Sequence, residues 1–267
     1  MIGAKSLKKH SIIHFFKPMN KLDAYYKQQL SYFGKEFSRI HTYSLLPWQK
    51  SYILKIKKYL LGKKPSGKTL IDIGTGSGYV AIETAKMGLH VIACDLTEEA
   101  LDNIKRFKRQ FKLSNIKLVK CNAEKIPLPD RSVDYVIANA ILEHIPDEQK
   151  AIREWKRLLK PNGKIFIAVP LQYKYIWPFL IPLNYIHDRR IGHLRRYDYA
   201  SLVRKFNLEP IAHFYTGHFI KVLGSIIFVT IFRTYIFARI FENIDSLLEK
   251  RRYGASNIIM VMKKEKK

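Results

Sequence analysis

Short runs of consecutive apolar residues alternate along the middle of the chain with longer stretches in which apolar side chains recur every three or four positions. The runs are TLIDIG (69–74), HVIACD (90–95), IKLVKCN (116–122), DYVIANA (134–140) and KIFIAVP (164–170). Helical spacing falls between them at 78–87, 97–112 and 147–159. Buried strands joined through helices need crossover connections, so the pattern predicts an α/β fold built on a doubly wound parallel sheet. In such a sheet ligands sit outside the carboxyl ends of the strands, which makes the residues closing each run the ones that carry chemistry.

The flanks follow other patterns. Trp48, Tyr52, Ile53, Ile56, Tyr59 and Leu60 have helical spacing, and GKKPSGK (62–68) then punctuates the chain. Past Pro170 the alternation stops in an aromatic, proline-interrupted segment that predicts a loop or short helices at the mouth of the site. A helix at 198–206, a strand near 209–215 and a last strand at 256–264 complete the expected sheet. We therefore expect a helical cap region at 1–66, an α/β core at 67–216, an apolar helical insert at 217–254, and a last strand with a basic tail at 255–267.

With 267 residues, 47% of them apolar and 26% charged, the chain can bury a large core and is not of a disordered class. Its net charge of +26 points to an anionic partner. That charge is unevenly spread: residues 1–68 carry fifteen basic against two acidic side chains, whereas residues 69–170 carry sixteen against thirteen. The core is nearly balanced and the flanks are basic. Two cysteines, Cys94 and Cys121, make no disulfide framework and lack neighbours for a zinc site, so a reducing, cytoplasmic setting is expected. The five-residue apolar patch Ile12–Phe16 is too short for a secretory segment, and no export is expected.

The first run ends in LIDIGTGSG, with Asp72 on the strand and Gly74, Gly76 and Gly78 in the turn before a helix. Glycines at alternate positions accept positive φ and let the backbone approach a ligand. The spacing is GxGxG, with Tyr79 where a dinucleotide fingerprint would continue, and no GK[ST] follows for a phosphate loop. The second run ends in Asp95, seventeen residues after Gly78, where a carboxylate accepts ribose hydroxyls. The combination points to a nucleoside ligand.

Together with NAEKIPLPD (122–130), SVDYVIANAILEHI (132–145) and WKRLLKPNGKIFIAVP (155–170), these residues resemble the class I S-adenosylmethionine-dependent methyltransferases, in particular the small-molecule and lipid-type branch of the type 11 kind. The resemblance runs from about Thr69 to Pro170. It implies a seven-stranded, mostly parallel Rossmann-like sheet and S-adenosyl-L-methionine as cofactor. Asp72, Gly74, Thr75, Gly76 and Gly78 would hold its amino-acid end and Asp95 its ribose. Leu96, Asn122 and Ala123 would border the adenine, and Asn139 would line the wall where methionine meets substrate. The chain departs from the family in having Asn122 where Asp is usual and Pro161-Asn162-Gly163 for Pro-Gly-Gly.

Methyl transfer from a sulfonium is an in-line displacement that alignment and desolvation accelerate, and a base is needed only for a poorly nucleophilic acceptor. His144, beside Glu143, is the candidate base in the cofactor half. Some quinone-pathway relatives hold a divalent metal near this segment with an added glutamate; Ala140 stands there, so no metal is expected. The segment HDRRIGHLRRYD contributes His187, Asp188, Arg190, His193, Arg195, Arg196 and Tyr197, and a similar GHxRRY pattern closes over the active site in this branch. Its arginines suit an acceptor carboxylate or phosphate. His193 and Tyr197 are the expected substrate contacts; the alternative is an ion network bracing a loop.

Residues 219–242 are mostly apolar, but only eleven uncharged residues separate Lys221 from Arg233, too few to cross a bilayer. A helix lying in the headgroups, with Lys221, Arg233 and Arg239 reaching the surface, is one reading, and WPFLIPLNYI (177–186) would add a contact. A packed helical hairpin or a dimer seam is the other. The sequence thus predicts a methyltransferase acting on a small-molecule or lipid-like acceptor, such as a quinone precursor or a polyprenyl- or glycan-linked molecule, at the face of an anionic membrane. RNA methylation is the alternative enzyme reading, though no NPPY-like segment or RNA-binding module favours nucleic acid as partner. A non-catalytic, cofactor-binding regulatory protein is the third.

Overall fold

The computed structural model describes residues 21–224 and 237–265. The basic opening, and the centre of the apolar insert with Arg233, lie outside the described residues. Among the described residues, seven strands form one sheet: β1 (Thr69–Ile73), β2 (His90–Asp95), β3 (Ile116–Lys120), β4 (Val133–Asn139), β5 (Leu159–Pro170), β6 (Glu209–Thr216) and β7 (Asn257–Lys263). Their order is β3-β2-β1-β4-β5-β7-β6, parallel from β3 to β5, with β7 antiparallel to both its neighbours. This is the doubly wound, mostly parallel architecture that the alternating pattern predicts. Within β5, Asn162 of the Pro161-Asn162-Gly163 stretch takes a left-handed φ of 62°.

Helices cover both faces, so strand residues are buried alternately to either side. Ile71, Val136, Ile165 and Ile167 pack towards Trp155 of α5 (Glu148–Leu158) and Phe206 of α7 (Tyr199–Phe206). Leu70, Val91, Ile137 and Phe166 pack on the opposite face, with Val80 and Ile82 of α3 (Tyr79–Lys86) and Ile104 and Phe107 of α4 (Glu98–Gln110). Among the described residues, helices α1 (Lys21–Ser38) and α2 (Pro47–Lys55), the latter continued by a π-helical turn at Ile56–Leu61, precede β1, and α6 (Ile181–Ile191) follows β5.

The register places the insert at the functional end of the sheet. Pro170 at the close of β5 pairs with Asn257, and Asn257 pairs with Thr216 at the close of β6. The chain between Thr216 and Asn257 therefore leaves and returns at the carboxyl ends of the parallel strands. Its described parts are α8 (Phe219–Gly224) and α9 (Ala238–Leu247), and the insert is tied back to α2 by a 2.8 Å ion pair between Lys55 and Glu249.

The cysteines correct the expectation of free thiols. Cys94 and Cys121 are joined as a disulfide, with Cα atoms 5.9 Å apart. Twenty-seven residues separate them in sequence, but β2 and β3 are parallel neighbours whose carboxyl ends lie side by side.

Candidate functional site

The turn after β1 and the end of β2 form one hydrogen-bonded unit. The amides of Gly74 and Thr75 donate to the Cys94 carbonyl at 2.9 and 3.1 Å, and the Gly76 amide donates to Asp95 Oδ2 at 2.9 Å. Gly74 and Gly78 need their missing side chains: both have positive φ, and a Cβ would lie 2.9 Å from Ile141 or 2.6 Å from Ile104. Asp95 Oδ1 accepts both the amide and the hydroxyl of Thr97, at 2.9 and 2.8 Å. One acceptor position thus remains on Oδ2 for a ligand hydroxyl.

Asp72 lies beneath the turn. Its Oδ2 accepts from the Thr75 hydroxyl at 2.6 Å. Burial pushes its carboxyl up to about 7, with the neighbouring Asp95 adding to the effect and the Thr75 hydrogen bond opposing it. A cation placed over the turn would hold this carboxylate ionised.

A cavity opens from this unit, lined by Gly74, Asp95, Leu96, Asn122 and Ala123 below and by Tyr26, Leu30, Phe33 and Phe37 of α1 above. These α1 residues have the spacing of any amphipathic helix, and nothing in the sequence marks them as a roof. The helix is pinned over the cavity by polar contacts. Tyr25 Oη donates to the carbonyls of His144 and Gly192 at 2.8 and 2.9 Å, Tyr26 Oη to Glu124 at 2.9 Å, and Asn103 Nδ2 to the Phe37 carbonyl at 2.8 Å. Asn122 turns its side-chain carbonyl back onto the Glu124 amide, 2.8 Å away. The donor set, one free carboxylate acceptor position and the apolar walls fit an adenosyl ligand.

Asn139 lies elsewhere. It lines a second cavity with Trp48, Tyr52, Tyr79, Glu143 and Lys221, and its Nδ2 donates to Tyr79 Oη at 2.7 Å. The two cavities share Ala140, which holds a φ of 54°. The turn 139–145 is the partition between them, with His144 on the first cavity and Glu143 on the second. Lys221 corrects its expected outward placement. Its Nζ pairs with Glu242 at 2.8 Å and Asp245 at 3.2 Å, because α9 presents both carboxylates to it. Arg239 is exposed.

The HDRRIGHLRRYD segment is largely the bracing network, built round the buried Asp188, while His187, Arg189, Arg190 and Leu194 are exposed. Asp188 accepts from His193 Nδ1 and Arg196 Nη2, each at 2.8 Å, and from the Tyr173 hydroxyl at 2.5 Å. Burial would raise the Asp188 carboxyl, yet these donors together hold it below the ordinary carboxylate range. Arg195 donates to the Ile145 and Pro146 carbonyls at 2.7 and 2.9 Å, clamping the segment onto the partition turn. Arg195 and Arg196 are therefore committed to the protein itself. Tyr197 is also a correction: it is 1% exposed, lines neither cavity, and donates to Glu148 Oε2 at 2.8 Å and the Leu142 carbonyl at 3.3 Å. Its neighbours are core side chains, since β-bridge pairing to Leu171 turns it inward.

His193 does not face either cavity but reaches the partition from behind, its Nε2 lying 3.7 Å from Glu143 Oε1. Its ring stands edge-on to that of His144, with centroids 4.8 Å apart. Burial drives the His144 imidazole down to about 3, so it is neutral at physiological pH. Burial also pushes the Glu143 carboxyl, 1% exposed, up to about 8. Glu143 Oε2 and His144 Nδ1 lack hydrogen-bond partners among the described residues, a cost of about 1–3 kcal/mol for each such group.

Residues 71–167 match the family model of the methyltransferase domain. The chain carries a class I S-adenosylmethionine-dependent methyltransferase domain. It is 32% identical over 124 residues to the ubiquinone/menaquinone biosynthesis C-methyltransferase of Rickettsia prowazekii, covering 44% of this chain and 47% of that protein. It is 30% identical over 138 residues to the protein of the same name from Vibrio campbellii, covering 50% and 51%. The chain thus spans about half the length of the curated relatives it matches. Among solved structures it is similar to geranyl diphosphate C-methyltransferase from Streptomyces coelicolor A3(2), crystallised with Mg2+, geranyl diphosphate and S-adenosyl-L-homocysteine. The TM-score is 0.65 at 14% identity, over 90% of this chain and 98% of that one. The methyltransferase domain includes the glycine turn, Asp95 and the partition turn, whereas α1, the HDRRIGHLRRYD segment and the insert lie outside the matched residues.

Proposed function

We propose that this protein transfers a methyl group from S-adenosyl-L-methionine to a small, largely apolar acceptor held in the second cavity. The observation that carries the reading is the shared wall: a cavity suited to an adenosyl ligand and an aromatic cavity meet at Ala140. When bound, the cofactor supplies an electrophilic methyl group on a positively charged sulfur. The protein's own residues do the remainder. Asp72, Gly74, Thr75, Gly76 and Gly78 hold the amino-acid end, Asp95 takes the ribose, and Leu96, Asn122 and Ala123 border the base. Phe33 and Phe37 exclude water above it. Trp48, Tyr52, Tyr79 and Asn139 orient the acceptor, so that fixed alignment in a dry site lowers the barrier.

The acceptor class follows from what surrounds the second cavity. Phe219, at the start of the helix bearing Lys221, packs edge-on against Phe179 with centroids 5.2 Å apart. From there an exposed apolar patch runs through Trp177, Phe179, Leu183, Tyr185 and Ile186, beside the exposed Arg189 and Arg190. Among the described residues no helix is long and apolar enough to cross a membrane. We read this patch, together with α8, as a peripheral contact with an anionic membrane, through which a lipid-like acceptor enters. The resemblance to the quinone-pathway relatives supports an acceptor with an aromatic or polyprenyl portion.

Incubation with methyl-tritiated cofactor and separate lipid, polar-metabolite and total-RNA extracts tests the proposal. Label in the lipid or metabolite fraction is expected. Label confined to RNA, or cofactor binding without transfer to any extract, overturns it.

A further inference from the structure

We propose that Glu143, His144 and His193 form a site for one divalent transition-metal ion, of the zinc or iron(II) class, in the partition between the two cavities. One ligand atom from each residue falls within a group whose members all lie within 4.8 Å of one another. The spread is wider than a closed tetrahedral shell, so binding requires the Glu143 and His144 side chains to draw in towards His193, whose ring Asp188 holds.

The unsatisfied atoms point to the same place. Glu143 is 1% and His144 8% exposed, yet Glu143 Oε2 and His144 Nδ1 have no hydrogen-bond partner among the described residues. Buried lone pairs left unused in this way are what a bound cation would use.

His193 is oriented as a metal ligand. Its Nδ1 lies 2.8 Å from Asp188 Oδ1, and Asp188 is itself held by Arg196 and Tyr173. That carboxylate fixes the ring with its proton on Nδ1, leaving the Nε2 lone pair directed towards Glu143, 3.7 Å away. This is the carboxylate–histidine support that bound metals use to set tautomer and ring orientation. The Leu194 amide donates to the Glu143 carbonyl at 2.9 Å and locks the two segments together.

Two imidazoles and one carboxylate favour zinc or iron(II) over magnesium or calcium, which prefer all-oxygen shells. Three protein ligands leave at least one coordination position open. Glu143 lines the acceptor cavity and His144 the cofactor cavity, so the open position faces the reaction space. Resting on the proposed methyl transfer, the ion's role is to bind an acceptor hydroxyl or enol oxygen and favour its ionised form.

The test uses the full chain, stripped with a chelator and titrated with zinc chloride by calorimetry and with cobalt chloride by visible absorption, with no cofactor or acceptor present. One ion per chain and d–d absorption from bound cobalt are expected. E143Q and H193A should each weaken zinc binding at least tenfold, with adenosylhomocysteine binding in chelator confirming that each variant is folded. Failure of the wild-type chain to bind zinc or cobalt stoichiometrically overturns the proposal, even if a variant does not fold. So does wild-type zinc affinity in a folded variant, which would mean that the three residues are only a buried ion-pair cluster. Ion binding is read without methyl transfer, so loss of either proposal leaves the other standing.

Discussion

The backbone amide of Gly76 donates to Asp95 Oδ2 across 2.9 Å, tying the turn after β1 to the end of β2. The carboxylate is thereby aimed by the protein, and its remaining acceptor position is set for a ribose hydroxyl. Asp95→Ala removes both the aim and the acceptor. Calorimetry with S-adenosylhomocysteine should show affinity weakened by about 1–3 kcal/mol. Wild-type affinity would refute the ribose assignment.

Gly78 combines a φ of 79° with a neighbour, Ile104, only 2.6 Å from where a Cβ would stand. An L-residue in the left-handed region costs about 1–2 kcal/mol, and overpacking adds about 1–3 kcal/mol. Gly78→Ala should therefore lower stability by at least about 2 kcal/mol in denaturant unfolding. Ile104→Val retains the contacting Cγ1 and should not rescue it.

Phe33 stacks on Phe37 with centroids 5.8 Å apart and faces the cofactor cavity from α1. Phe33→Ala should lower adenosylhomocysteine affinity by about 1 kcal/mol through lost apolar contact, with a smaller effect on thermal unfolding. An unchanged affinity would mean that α1 is not the roof.

Asp245 accepts from Thr216 Oγ1 at 2.5 Å and from the amides of Gly217 and His218 at 3.1 and 2.9 Å, at the point where the insert leaves the sheet. Burial opposes its ionisation, but hydrogen bonds from His218, the charge of Lys221 and the Thr216 hydroxyl prevail and hold the carboxyl below its ordinary value. A carboxyl depressed in the folded state stabilises fully above the unfolded value of about 4, and that contribution is lost as the pH falls below it. Asp245→Asn should cost about 3 kcal/mol at pH 7, and its stability should decline less steeply than wild type below about pH 4. Parallel acid titrations of unfolding would show it.

Tyr197 spends its hydroxyl on Glu148 and Leu142. Tyr197→Phe should cost about 1 kcal/mol of stability and leave cofactor affinity and turnover per folded molecule unchanged. Loss of turnover in a fully stable variant would restore it as a substrate contact.

Strand and helix positions were legible because backbone hydrogen bonding and side-chain periodicity are local: TLIDIG and HVIACD carry their strands within themselves. The glycine turn and Asp95 were legible for the same reason, since positive φ and a strand-end carboxylate are local demands. The roof residues Phe33 and Phe37 were not, because their spacing in α1 is that of any helix that packs on a core. Neither was the inward turn of Lys221, which depends on Glu242 and Asp245 approaching from another helix.

By itself the sequence determined the doubly wound sheet and the residues that close its first two strands. Only the tertiary structure decided which distant side chains share a space. Glu143 and His193 meet because Leu194 bonds to the Glu143 carbonyl and Arg195 to the turn that follows it. Cys94 meets Cys121 because parallel pairing aligns two strand ends. Such meetings are set by topology and register, which sum over the whole chain and leave no periodic trace in any one segment of it.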